Sequence, residues 1–106
     1  ANLPVQGYGG HYCNVPTRVD PTIVACSMIL SGLRIFDIRD PFHPREVAYF
    51  NAPTSPRIVP EESNWAMSSP SFVPERKEIW YTDGYSGFYV LRVRSNLVEI
   101  SNVLQQ

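Results

Sequence analysis

The chain repeats itself. Gly32 and Gly87 lie 55 positions apart (87 − 32), and at that offset Ser31/Ser86, Leu33/Phe88, Ile35/Val90, Phe36/Leu91 and Ile38/Val93 match in character. Val24/Ile79 and Ser27/Thr82 match as well. Self-similarity at a fixed period means one supersecondary unit used more than once, each copy leaving a hydrophobic face that a neighbour must cover. The unit is built of short strands. Leu33–Ile38 and Val47–Phe50 are dominated by β-favouring residues. Between them, Asp40 suits the first position of a turn, Pro41 presets φ for the second, and Pro44 holds His43 extended. Ser31–Phe50 therefore reads as a hairpin.

The rest of the chain fits around it. His11–Val15 is expected to be a short strand, Pro16–Pro21 a turn and Thr22–Ser27 a strand, so that Glu46–Phe50 completes a four-stranded meander. Asn51–Met67 has little periodicity and reads as a long loop. The pattern then restarts with strands at Ser69–Val73, Glu78–Thr82 and Phe88–Val93, polar turns at Pro74–Lys77 and Asp83–Gly87, and a final edge strand at Leu97–Ile100. The 10 prolines fall between apolar runs, which suits many short strands and excludes long helices.

Leu33 and Ile35 point to one face of their strand, Phe36 and Ile38 to the other. A strand apolar on both faces must be covered on both. The expectation is an all-β chain of antiparallel four-stranded blades from a β-propeller. Blade one covers about 11–50, a long loop 51–68 and blade two about 69–100, the whole of 1–106 being one propeller segment. Propellers close with typically 4–8 blades, so two blades are part of a ring, here read as the C-terminal part of a larger one.

A net charge of −1 provides no electrostatic footprint for nucleic acid or an anionic membrane. No apolar run approaches the ~18 residues of a membrane span. Nothing at Ala1 resembles a signal peptide, which suggests a processed form or a piece of a longer chain. Cys13 and Cys26 flank a Pro-rich excursion and admit two readings. Joined across adjacent strands they would close a loop worth about 3 kcal/mol and point to export. Otherwise they are two buried thiols of a cytosolic protein. The disulfide is the expectation.

From Ser31-Gly32-Leu33-Arg34-Ile35-Phe36-Asp37-Ile38-Arg39-Asp40-Pro41 on through Pro44-Arg45-Glu46-Val47-Ala48-Tyr49-Phe50, the chain resembles LVIVD-repeat proteins. Their repeat runs Gly-Leu-Arg-Val-Phe-Asp-Ile-x-Asp-Pro-x-x-Pro-x-x-Val. Glu78–Val93 resembles a more degenerate copy, with Tyr89 for the arginine, Arg92 for the aspartate and no Asp-Pro after it, which fits a terminal blade. Together the likeness covers roughly His11–Val93. It implies a β-propeller of exported or cell-surface proteins from bacteria or archaea, and it brings no catalytic residues with it. The implied export strengthens the Cys13–Cys26 disulfide.

Candidate chemistry is sparse. His43 reads as a solvated turn residue. His11 starts an innermost-type strand, where it faces a central channel or hydrogen-bonds a neighbouring blade; the second is expected. His11, Cys13 and Cys26 do not make a zinc set, so no metal and no cofactor are expected. Asp83-Gly84-Tyr85-Ser86-Gly87 lacks the acidic alternation of a calcium loop and the lysine of a phosphate loop, and reads as a turn. Ser31 and Ser86 share a repeat position before glycine, which argues for backbone geometry and against a nucleophile. Asp37 falls on the apolar side of its strand and is expected to be buried and hydrogen-bonded.

Any ligand site is expected at the blade edge carrying Ser27–Ser31 and Asp83–Ser86. It would gather Glu61, Glu62, Trp65, Asp83 and Tyr85, with His11 near the channel mouth. Carboxylates and aromatic surface would suit a polar ligand such as a carbohydrate, or a partner loop. The function expected is a non-enzymatic exported binding or scaffolding module, partnered by other blades or another chain. The alternatives are part of an exported propeller hydrolase or oxidoreductase with its catalytic groups on other blades, or an accessory subunit completing another chain's ring.

Overall fold

The computed structural model describes residues 9–53 and 65–92, and these fold as two antiparallel sheets. The first is a four-stranded meander of β1 (Tyr12–Asn14), β2 (Ile23–Ser27), β3 (Leu33–Asp37) and β4 (Arg45–Phe50). The second joins β5 (Ser71–Val73), β6 (Glu78–Asp83) and β7 (Gly87–Leu91). The only helical element described is a 3-10 turn at Pro74–Arg76, in place of the plain polar turn expected; Lys77 closes it at φ 59°. The chain is all-β. The edge strand expected at 97–100 lies outside the described residues.

Local chemistry sets the turns. Between β3 and β4, Asp40 accepts the His43 N–H on its carbonyl (3.0 Å) and the Phe42 N–H on Oδ1 (3.1 Å). That is the work expected of Asp-Pro at a turn. Cys13 lies directly opposite Cys26 in the β1–β2 ladder, and the two form a disulfide with Cα atoms 4.0 Å apart. The reading as two buried thiols is thereby excluded.

The two central hairpins share one register. Shifted by 55 positions, Val24↔Phe36 becomes Ile79↔Leu91, Ala25↔Ile35 becomes Trp80↔Val90, and Ser27↔Leu33 becomes Thr82↔Phe88; all six pairs are observed. Both hairpins also end on a glycine of positive φ, Gly32 at 75° and Gly87 at 105°. The outermost strand departs from the offset. Asn14 faces Ala25, yet the residue facing Trp80 is Ser71, two places beyond the offset position Ser69. A slip of two preserves which side chains face the core; a slip of one would invert them. β5 also starts later than the expected Ser69. The residues before it bond to the first sheet instead, Ser68 and Pro70 giving their carbonyls to Ser27 Oγ and Asn14 Nδ2.

The core lies between the sheets. Ile23, Ala25, Leu33 and Ile35 of the first meet Ile79 and Tyr81 of the second, with Ala66 between them. Full burial of such aliphatic side chains contributes roughly 1.5–3 kcal/mol each. Phe50 bridges to Tyr89 and Tyr81 at ring separations of 5.1 and 6.2 Å, and Tyr81 stacks on Tyr89 at 5.6 Å. The faces in contact are unlike. Leu33 and Ile35 point into the core, but their counterparts Phe88 and Val90 point out of the second sheet, where they are exposed. Conversely Ile79, Tyr81, Tyr89 and Leu91 line the core, whereas Val24, Cys26, Arg34 and Phe36 lie on the outer side of the first sheet. The sheets are stacked front to back.

Candidate functional site

One edge of this stack is tied together by residues 65–70. Ala66 is fully buried and exchanges two 2.9 Å backbone hydrogen bonds with Ile29, in the turn between β2 and β3. On its other side the Trp65 carbonyl accepts the Gly84 N–H (2.7 Å), in the turn between β6 and β7. Trp65 donates its own N–H to Asp83 Oδ2 (2.7 Å). Two residues thus cross-link the two equivalent turns. Ser68 continues the seam, its hydroxyl accepting the Thr82 N–H at 2.8 Å.

Four of the expected site residues fall on this edge. Asp83 is 2% exposed, and its Oδ1 accepts the N–H groups of Tyr85 (2.8 Å) and Ser86 (3.0 Å). With Trp65 on Oδ2, the carboxylate holds its turn and the seam in place, satisfying three backbone donors at once. His11 donates its backbone N–H to Ser27 and its ring Nδ1 lies 2.9 Å from the Met67 carbonyl, so Nδ1 carries the proton. Hydrogen bonding toward the neighbouring sheet is the role expected of it. Trp65 is half-buried and packs on Gly84, where an added Cβ would come within 2.6 Å of the indole. Its ring sits 6.0 Å from Tyr85 at 70°, and Tyr85 is 43% exposed. Trp65 and Tyr85 therefore form an edge-to-face aromatic pair at the rim. Glu61 and Glu62 lie outside the described residues.

The opposite edge carries charge. The Arg39 side chain first, then its backbone N–H and the Arg45 charge, holds the Asp37 carboxyl down at about 2. Arg39 Nη2 lies 2.6 Å from Asp37 and Arg45 Nη2 3.4 Å from it. Asp37 is hydrogen-bonded as expected, its side chain 12% exposed. A second carboxylate is one that sequence reasoning does not single out. Glu78 is buried, bonded by Arg76 Nε (2.9 Å) and Trp80 Nε1 (3.1 Å), and these two donors hold it below the usual carboxylate range. Its only signal in the sequence is the pair of nearby arginines, Arg76 and Arg92. Between the sheets, Tyr81 keeps its hydroxyl buried with no hydrogen-bond partner among the described residues. Burial, then the nearby Asp83 charge, pushes that hydroxyl well above its ordinary value.

An apolar crevice of about 220 Å³ opens between the sheets, lined by Leu33, Ile35, Phe50, Ile79 and Leu91, with Arg92 as its charged group. Among the described residues no cluster of His, Cys, Asp and Glu could hold a metal ion, and no helix is long and apolar enough to cross a membrane. No protein-family model matches the sequence, and a comparison with curated proteins finds no match either.

Proposed function

We propose that this chain is part of an exported β-propeller of the LVIVD-repeat kind, acting as a non-enzymatic binding or scaffolding module. The observation that carries the reading is the front-to-back stacking of two sheets whose central hairpins share one register at the 55-residue offset. A two-sheet sandwich made from a duplicated unit buries like faces and leaves nothing to extend. Unlike faces in contact leave one of each kind open, which is the geometry of blades in a series. The Cys13–Cys26 disulfide supports an oxidising compartment.

The binding edge in this reading is the rim of the seam, where Trp65 and Tyr85 offer aromatic surface. Rings held edge to face at a rim stack on the apolar face of a sugar while their polar tips meet its hydroxyls. Asp83 serves as scaffold for this edge, because its acceptors are taken by backbone N–H groups.

Titration of a panel of neutral oligosaccharides, followed by tryptophan fluorescence, tests the ligand reading. Trp65→Ala and Tyr85→Ala should each abolish binding, Tyr85→Ala with little change in Tm. Binding that survives both substitutions moves the site elsewhere. An experimental structure with Phe88 and Val90 packed against Leu33 and Ile35 would overturn the architecture.

A further inference from the structure

We infer that the outer face of the second sheet docks a second copy of this chain, which lays the outer face of its first sheet against it. The inference rests on the stacked-blade reading above. Trp80, Phe88 and Val90 share that outer face, with Phe88 60% and Val90 49% exposed and Trp80 edge-on to Phe88 at 5.7 Å. Scattered apolar residues on a surface are ordinary, but a contiguous patch marks an interface. The chain itself shows what covers such a face. At the corresponding positions of the first sheet, Ala25, Leu33 and Ile35 are at most 4% exposed, because the inner face of the second sheet lies on them.

The complementary surface is also present and open. The outer face of the first sheet carries Val24, Phe36 and Tyr49, with Tyr49 65% exposed. Arg34 lies over the Tyr49 ring at 4.8 Å, its charge balanced by Glu46 at 2.9 Å. A flat guanidinium with a paired charge is a surface on which Trp80 and Phe88 can stack. The charges beside both faces are paired within their own sheet. Arg34 pairs with Glu46 on the first sheet, and Arg76 and Arg92 lie against Glu78 on the second. The contact is heterologous, so copies add head to tail and either close a ring or grow a filament.

Sedimentation velocity of the full chain across a concentration series tests this. The wild type should associate beyond the monomer. Phe88→Arg removes one face and Tyr49→Glu the other, and each should weaken self-association at least about 30-fold, as loss of a central aromatic anchor does. Both residues are exposed, and circular dichroism should show each variant folded. The decisive arm is the mixture. Phe88→Arg keeps its first-sheet face and Tyr49→Glu its second-sheet face, so together they should form 1:1 dimers that grow no further.

A wild-type chain monomeric up to about 1 mM, the upper end of weak affinity, overturns the inference. So does association that Tyr49→Glu leaves untouched, because like faces would then be in contact. Nuclear Overhauser contacts between the Phe50 and Tyr89 rings in the Phe88→Arg monomer separate the two claims. If they persist and the wild type does not associate, the docking inference alone fails. If they are missing, the stacked-blade reading fails with it.

Discussion

The two hairpins of this molecule are equivalent in register and unlike in surroundings, and Gly32 and Gly87 show the difference most sharply. Both take positive φ at the end of a turn that enters a strand. At Gly32 an added Cβ would lie 2.2 Å from the Phe50 carbonyl oxygen and 2.6 Å from Asn51 Oδ1, because β4 closes over the turn. At Gly87 it would meet nothing within 4 Å. The repeat dictates the backbone dihedral at both sites, but the fourth strand of the first sheet turns one of them into a close contact. Gly32→Ala is expected to cost about 4 kcal/mol or more, combining strain with a backbone clash. Gly87→Ala should cost about 1–2 kcal/mol, from strain alone. Urea unfolding of the two variants tests the comparison, and equal losses would break it.

The outermost strands differ next. β1 is pinned to β2 by the Cys13–Cys26 disulfide, whereas β5 has no such tie and sits two residues off the repeat offset. Replacing both cysteines by alanine is expected to cost about 3 kcal/mol, the chain-entropy value for a loop of this size. Thermal unfolding with and without reductant should reproduce that loss in the wild type and show none in the double variant.

Cys26 and Tyr81 occupy the same repeat position, one on an outer face and one in the core. Tyr81 brings a hydroxyl into a place with no partner among the described residues. A buried, unsatisfied polar group is destabilising by about 1–3 kcal/mol, part of which removal recovers. Tyr81→Phe should therefore raise stability by about 1 kcal/mol while keeping the ring stacked on Tyr89. A loss of stability instead would reveal a partner for the hydroxyl.

Much of the fold is legible in the amino-acid sequence. Strand positions follow from β-branched and aromatic runs punctuated by Pro and Gly, and the Asp40-Pro41 turn from its own chemistry. The pairing of Cys13 with Cys26 is the expectation from their flanking of a single excursion together with the export that the resemblance implies. The seam at 65–70 is not legible, since Ala66 and Ser68 act through backbone groups and one hydroxyl, which leave no periodic signature. Its first residues read as loop for that reason. The buried Glu78 is hidden by a related effect: as the first residue of its strand, next to the polar turn Pro74–Lys77, it reads equally well as solvent-facing. At the candidate site, Trp65 and Tyr85 are identifiable as aromatics in loops, but only the folded geometry shows that Asp83 is turned inward beneath them.

The smallest expected effect concerns the charged edge, where the two sheets place their carboxylates differently. In the first sheet the acid is Asp37 on β3, and the position facing it is the apolar Ile23. In the second the counterpart of Ile23 is Glu78, and the counterpart of Asp37 is Arg92. Each edge is thus neutralised locally, Asp37 by Arg39 and Arg45, Glu78 by Arg76 with Arg92 farther away at 4.0 Å. The Asp37 carboxyl is held at about 2, below its unfolded value near 4. A depressed folded value means that the unfolded chain binds the proton first as pH falls. The stabilisation is therefore complete above about pH 4 and lost between about pH 4 and 2. Arg39 and Arg45 are 43% and 65% exposed, so solvent screening keeps the contribution under about 1 kcal/mol. Asp37→Asn should flatten the acid limb of stability against pH in that window. Glu78 is shifted in the same direction, so part of the slope should survive. An acid limb identical to the wild type's would show that the Asp37–Arg39 pair is too well solvated to matter, leaving Glu78 as the carboxylate that distinguishes the two sheets.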